Sequence, residues 1–223
     1  MIQDIEPQRF NNQYSNRREP EDHDMVLSFS EKLIFAKVMD DENRLVFMTY
    51  GELKKITGCG RKIEDISNEK TAGDRIDRLD NTVETAECKG NLVYLFSIDD
   101  TAYFMWNGDN RLAAPGYEYR SMYKTRACHP KTAVLAAATG WHLSLWYRTN
   151  RFCGACGERT VHDEKERMLR CPSCGRLIFP VIAPAVIVGV IDGDRIILTT
   201  YAGREYKRYA LIAGFTEIGE SAE

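Results

Sequence analysis

Four of the seven cysteines fall into two pairs, Cys153-Gly-Ala-Cys156 and Cys171-Pro-Ser-Cys174, with fourteen residues between them. The N-terminal stretch MIQDIEPQRFNNQYSNRREPED is polar and has no apolar signal region, so the chain is expected to be cytoplasmic. In a reducing compartment, clustered C-x2-C pairs read as a metal site and not as disulfides. Gly157 and Gly175 follow the second cysteine of each pair. Such glycines permit the tight turns that bring backbone amides up to the sulfurs. The pattern predicts a zinc ribbon on Cys153, Cys156, Cys171 and Cys174, with one zinc per chain. Four thiolates at about 2.3 Å close a tetrahedron and leave no open position, which makes the metal structural and not catalytic. A rubredoxin-type iron centre uses the same ligand set. Cys59, Cys88 and Cys128 are scattered and are expected to act as small buried apolar residues.

Charge limits what such a module can bind. The 223 residues are 43% hydrophobic and 28% charged, a globular composition that excludes disorder, collagen and coiled coil. Up to residue 150 there are 20 basic and 23 acidic residues, and after it 10 of each. Neither half is a basic nucleic-acid surface in bulk. Arg151 to Arg176 holds six basic and four acidic residues, and zinc with four thiolates adds −2. The segment is therefore near neutral, and attraction to a phosphate backbone is expected to be weak. The longest apolar run, Val181 to Ile191, is broken by Pro184 and Gly189 and falls far short of the ~20 residues that span a bilayer. No membrane association is expected.

The remaining pattern is that of an α+β protein. Residues 1–25 are expected to be poorly ordered. Ser30 to Val38, Arg44 to Thr49, Asn91 to Ile98 and Thr101 to Trp106 read as strands, the last two joined by Asp99-Asp100 as a hairpin. Gly60 to Lys89 reads as loops and a short helix. From Pro130 the spacing of Ala133, Leu135, Ala136, Ala137, Trp141, Leu145 and Trp146 predicts a helix over 130–147, which Gly140 weakens. Tyr117, Tyr119, Arg120 and Tyr123 are expected on a solvated edge strand. His129 beside Cys128 is no nucleophile pair, because neighbours in extended chain face opposite ways. His162 is expected on a solvated ribbon turn. APAVIVGVI and RIILTTY flank Asp192-Gly193 as a second hairpin, and LIAGFTEIGESAE reads as strand, loop and helix start.

Gly214-Phe-Thr-Glu-Ile-Gly-Glu220 has the form G-x5-E and so resembles the opening of a Nudix box, G-x5-E-x7-R-E-U-x-E-E-x-G-U with U aliphatic. The order of features from residue 130 resembles the NADH pyrophosphatase subfamily: an alanine- and tryptophan-bearing helix, RFCGACG at 151–157, FPVIAPAVIVGV, a hairpin and ALIAGFTEIGES. The resemblance implies an N-terminal domain over 1–148, a zinc ribbon over 149–180 and the opening strands of a Nudix α/β/α sandwich over 181–223. It implies hydrolysis of NADH or NAD⁺ to nicotinamide mononucleotide (NMN) and AMP, and removal of NAD caps from RNA, with Mg²⁺ or Mn²⁺. The Ala213 carbonyl would be a ligand of the catalytic metal, Gly214 and Glu220 would belong to the box, and Phe179 and Phe215 would stack on substrate. It also implies a homodimer. Phe179 stands where the subfamily usually has Tyr, and Val181 replaces a commoner polar residue. Only Ser221, Ala222 and Glu223 follow Glu220, so the catalytic glutamates of the R-E-U-x-E-E helix are not in this sequence. The chain is expected to be cut inside the box and inactive alone. The competing reading is a non-catalytic zinc-ribbon module that binds protein or nucleic acid.

Overall fold

The computed structural model describes residues 2–14, 18–39, 43–57, 91–108, 110–203 and 208–221. The chain forms two compact units, Met1–Phe179 and Pro180–Glu223. Its class is mixed α and β, with many short strands, few helices and a ribbon module.

The first unit begins with β1 (Phe10–Asn11), β2 (Met25–Leu27), β3 (Phe29–Ser30), β4 (Leu33–Met39), β5 (Arg44–Val46) and β6 (Met48–Thr49), followed by α1 (Tyr50–Thr57). It continues with β7 (Leu92–Ile98), β8 (Thr101–Trp106), β9 (Glu118–Ser121), α2 (Met122–Thr125) and α3 (Lys131–Thr149). One sheet has the order β1-β7-β8-β2-β6, in which β2 runs parallel to β8 and the other pairs are antiparallel. The other is built on β4, which pairs with β3, β5 and β9.

The hairpin of β7 and β8 turns at Asp99-Asp100 as the sequence predicts, with Ile98 opposite Thr101. Asp99 takes a φ of 50°, a left-handed conformation that Asp tolerates better than most residues. Register shifts between Tyr94 and Phe96, so Leu95 is the extra residue of a bulge, and bulges loosen local pairing.

Three buried clusters lie among the described residues, the smallest made of Tyr94, Ala102 and Phe104, and the two larger ones follow from the alternation of side chains along strands. Leu27, Ile34, Leu95 and Phe96 face the cluster that covers α3, while Val26, Phe35, Met48 and Leu53 face a second cluster. The face of α3 that enters the first cluster is made of Ala133, Ala136, Ala137 and Leu143. Gly140 belongs to that face, and a Cβ built there would lie 2.6 Å from Leu27 Cδ1 and 3.1 Å from Phe29 Cζ. The glycine that weakens the helix intrinsically is thus what lets it lie against β2 and β3. The helix runs two residues beyond its expected end, to Thr149.

Several expectations are corrected. The N-terminal stretch is not a loose lead-in: Ile5 is buried in the main core, Phe10 packs on Phe96 at 5.1 Å, and β1 pairs with β7. Two apolar anchors decide its fate against a polar average. Tyr119 lies on an edge strand as expected, but Tyr117 and Tyr119 are half-buried and not fully solvated, because both rings lie against Phe35. The Tyr119 hydroxyl shares a hydrogen bond with Ser28 at 2.9 Å and accepts the Leu112 N–H. Tyr123 is exposed. Cys128 packs half-buried against the main core, as expected. Cys59, Cys88 and the segment Gly60 to Lys89 lie outside the described residues.

The second unit holds β13 (Ala185–Val188), β14 (Ile191–Asp192), β15 (Arg195–Ile196) and β16 (Ile212–Phe215). β13 pairs with β16 and β14 with β15. The hairpin loop is Gly193-Asp194, one residue later than expected, since Asp192 pairs with Arg195 and Gly193 takes the positive φ of 60°. Residues 216–221 form a turn and no helix start. None of this unit's described residues is buried. Among the described residues no helix is long and apolar enough to cross a membrane.

Replacing Gly140 with Ala tests the packing against the propensity. Helix propensity would gain about 1 kcal/mol, whereas overpacking a tight contact costs about 1–3 kcal/mol. Leu27 is fully buried and has no room to retreat. Urea denaturation should therefore show a net loss of about 1 kcal/mol.

Candidate metal centre

The ribbon is three two-residue strands, β10 (Val161–His162), β11 (Leu169–Arg170) and β12 (Leu177–Ile178), in antiparallel order. Its two cysteine turns repeat one geometry. In the first, the Cys153 N–H donates to the Glu158 carbonyl at 2.7 Å and the Gly157 N–H returns to the Cys153 carbonyl at 2.8 Å. In the second, Cys171 and Arg176 are joined at 2.9 Å and Gly175 returns to Cys171 at 3.0 Å. Gly157 and Gly175 have φ of 78° and 74°, which is why glycine follows each pair. A backbone N–H then reaches each leading sulfur: Ala155 to Cys153 Sγ and Cys174 to Cys171 Sγ, both at 3.4 Å.

The four sulfurs lie within 4.8 Å of one another. Cys153 and Cys174 are 3.6 Å apart, and Cys156 and Cys171 are 3.4 Å apart. A tetrahedron with bonds of about 2.3 Å needs sulfurs about 3.8 Å apart, so the donor set fits a structural zinc. Cys153 and Cys171 are buried while Cys156 and Cys174 are exposed. The N–H groups of Ala155 and Cys156 hold the Cys153 thiol down at about 6, and that of Cys174 lowers Cys171. At Cys156 the Glu158 N–H also lowers the pKa, yet the crowding sulfurs and burial push it up to about 12. A dication relieves that crowding, and zinc binding then releases a proton there.

The ribbon is keyed into the first unit. Leu169 enters the main core. Arg167 donates to the Leu95 carbonyl at the β7 bulge and lies 5.6 Å from the centre of the Tyr14 ring. The Thr160 hydroxyl donates to the Asn150 carbonyl at the end of α3 at 2.6 Å. His162 lies on the strand β10 and not on a turn, and it is exposed, as expected. Its ring stacks on Tyr147 at 5.0 Å, and burial lowers its pKa. Sequence reasoning missed Tyr14, Tyr147 and Arg167, whose types carry no spacing signal.

The other expected site residues are placed as follows. Ala213, Gly214 and Phe215 lie on β16, opposite Ile187, Val186 and Ala185. Glu220 closes the loop, its carboxylate accepting the Glu217 N–H at 2.8 Å, and Gly219 takes a φ of 90°. Phe179 ends the first unit with about half its surface exposed, and Phe215 in the second is three-quarters exposed. Among the described residues, the four cysteines are the one group of three or more His, Cys, Asp or Glu side chains placed to surround an ion. Cys128 donates to the Lys124 carbonyl at 3.8 Å, and burial raises its pKa, the opposite of an activated nucleophile.

Residues 148–179 match the family model for the NADH pyrophosphatase zinc ribbon domain. The chain thus carries a zinc ribbon of NADH pyrophosphatase type. Among similar proteins, the NAD-capped RNA hydrolase NudC of Pseudomonas aeruginosa is 41% identical over 81 residues, 36% of this chain and 29% of that protein. That of Pectobacterium carotovorum is 37% identical over 87 residues, 39% and 34% of the two chains. That of Haemophilus influenzae is 36% identical over 98 residues, 42% and 37%. The matched stretches span about a third of the length of these relatives.

Elemental analysis should find one zinc per chain. Replacing Cys171, the fully buried ligand, with Ser should lose the zinc and unfold the ribbon, because metal-binding energy here is folding energy. Stoichiometric zinc in that variant would refute a four-thiolate site.

Proposed function

We propose that the protein is an NAD(H) diphosphatase that cleaves NADH or NAD⁺ to NMN and AMP and removes NAD caps from RNA. The observation that carries the reading is the ribbon, which agrees with the NADH pyrophosphatase type in sequence over 148–179 and in the four-thiolate geometry. The activity for which the relatives are named, hydrolysis of NAD-capped RNA, supports it. In this reading the protein is cytoplasmic, with working boundaries at 148, 180 and 181.

Mg²⁺ or Mn²⁺, when bound, would neutralise the diphosphate and activate water. The residues of this chain would position substrate and loop. Ala213 would offer its carbonyl to the metal, beside Gly214 of the box. Glu220 orders the loop through the Glu217 N–H. The exposed rings of Phe179 and Phe215 offer faces for stacking on the nucleotide bases. Glu220 is thus committed to the loop, and the metal-binding carboxylates are those of a helix of the R-E-U-x-E-E kind.

Two outcomes test the proposal. With Mg²⁺ or Mn²⁺, the 223-residue chain should release no measurable NMN from NADH, and the chain joined to a subfamily glutamate helix should release it. NMN release by the chain alone, abolished by Glu220→Gln, would show that the catalytic centre lies elsewhere. Inactivity of the joined protein would favour the non-catalytic module.

The second outcome concerns assembly. Val181, Ile182, Ile187, Ile191 and Ile218 are all more than two-thirds exposed, and a two-stranded sheet with no buried face is marginal in water. We propose that a homodimer covers such surface. Light scattering at micromolar concentration should give twice the chain mass, and a monomer would overturn the assignment.

A further inference from the structure

The first unit contains a cavity of about 640 Å³ between the end of α3, the β7–β8 hairpin and the ribbon. Three arginines line it: Arg148 on the last turn of α3, Arg151 just after it, and Arg159 on the ribbon. Ribbon pairing sets the backbone of Arg151 and Arg159. Phe152 pairs with Arg159, and the Thr160 N–H donates to the Arg151 carbonyl at 3.0 Å. Among the described residues no carboxylate lines the cavity, and none of the three guanidiniums is in an ion pair. Rings complete the wall. Tyr147 carries His162 stacked on it, and Trp106 is held by its indole N–H to the Asn110 carbonyl at 3.0 Å. The chain crosses Trp106 at Gly108, where a Cβ would lie 2.3 Å from the indole.

Three exposed guanidiniums without an ion-pair partner among the described residues select an anion with several acceptor oxygens, and the aromatic wall selects a flat ring beside it. The near-neutral sum of the ribbon segment hides this, because folding brings its Arg151 and Arg159 beside Arg148 of α3, with no described carboxylate among the lining residues. We propose that this cavity binds a nucleotide through its phosphate and base. The ligand is either a free mononucleotide or a nucleotide within single-stranded RNA. The site uses residues of the first unit alone, and it stands or falls independently of diphosphate cleavage.

The test uses the zinc-loaded 223-residue chain and fluorescence anisotropy of a labelled, 5′-phosphorylated six-nucleotide RNA. AMP, inorganic phosphate and a Glu-rich hexapeptide serve as competitors. The RNA should bind and be displaced by AMP at far lower concentration than by phosphate or peptide. AMP matching RNA in affinity makes the ligand a mononucleotide, and RNA binding well ahead of AMP makes it the polymer. The double substitution Arg148→Gln, Arg159→Gln should weaken binding at least about tenfold. It should also flatten the slope of log affinity against log salt by about 1.4, at roughly 0.7 per lost contact. Arg148→Lys with Arg159→Lys should keep the slope, and Arg126→Gln, outside the cavity, should change neither quantity. Trp106→Ala should weaken binding roughly tenfold at an unchanged slope. Zinc content reports whether each variant is folded. Absence of RNA and AMP binding, binding indifferent to the arginine pair, or equal displacement by phosphate or the acidic peptide would overturn the proposal.

Discussion

Between Arg151 and Phe179 the chain buries only Cys153, Leu169 and Cys171, so thiolate–metal bonding has to supply what a hydrophobic core supplies elsewhere. One buried leucine contributes about 1.5–3 kcal/mol, against about 10–16 kcal/mol for a structural zinc. Strands of two residues have little persistence without such a clamp. The clamp reaches beyond the ribbon, because the same segment delivers Leu169 to the main core, Arg167 to the bulge carbonyl of Leu95 and His162 to the Tyr147 ring. Metal binding therefore fixes the end of α3 as well as the two cysteine turns.

The legibility of these features follows from how local their causes are. The cysteine spacing, the two-residue turn at Asp99-Asp100 and the alanine period of α3 are written within a few residues and were read correctly. Helix α1 was also written locally and was overlooked. Thr49 and Glu52 form a capping box, with the Thr49 N–H to Glu52 at 2.8 Å and the Glu52 N–H to the Thr49 hydroxyl at 3.2 Å, and T-x-x-E is its signature. The one-residue shift of the second hairpin comes from Gly193, whose left-handed φ suits the first loop position of Gly193-Asp194.

What stayed illegible depends on distant partners. Tyr117 and Tyr119 read as solvated because Phe35 and Ser28, which cover them, lie more than eighty residues away. Averaged composition hid Ile5 and Phe10 inside a polar run, and it hid Arg151 and Arg159, two of the three cavity arginines, inside a neutral segment. The pairing of β13 with β16, and not with its neighbour β14, likewise has no local signature. For the metal centre, sequence reached the ligands, while the hydrogen bonds that tune their sulfurs required coordinates.

The strand Phe10–Asn11 borders β7 on the outside of the five-stranded sheet, and the Arg9 backbone both gives to and takes from Asp99 at the hairpin turn. Exposed sheet edges are templates for unwanted pairing between molecules. Residues 9–11 thus serve as a selvedge that finishes the cloth. A change that detaches Phe10 and Asn11 from β7 acts on the solubility of the whole first unit.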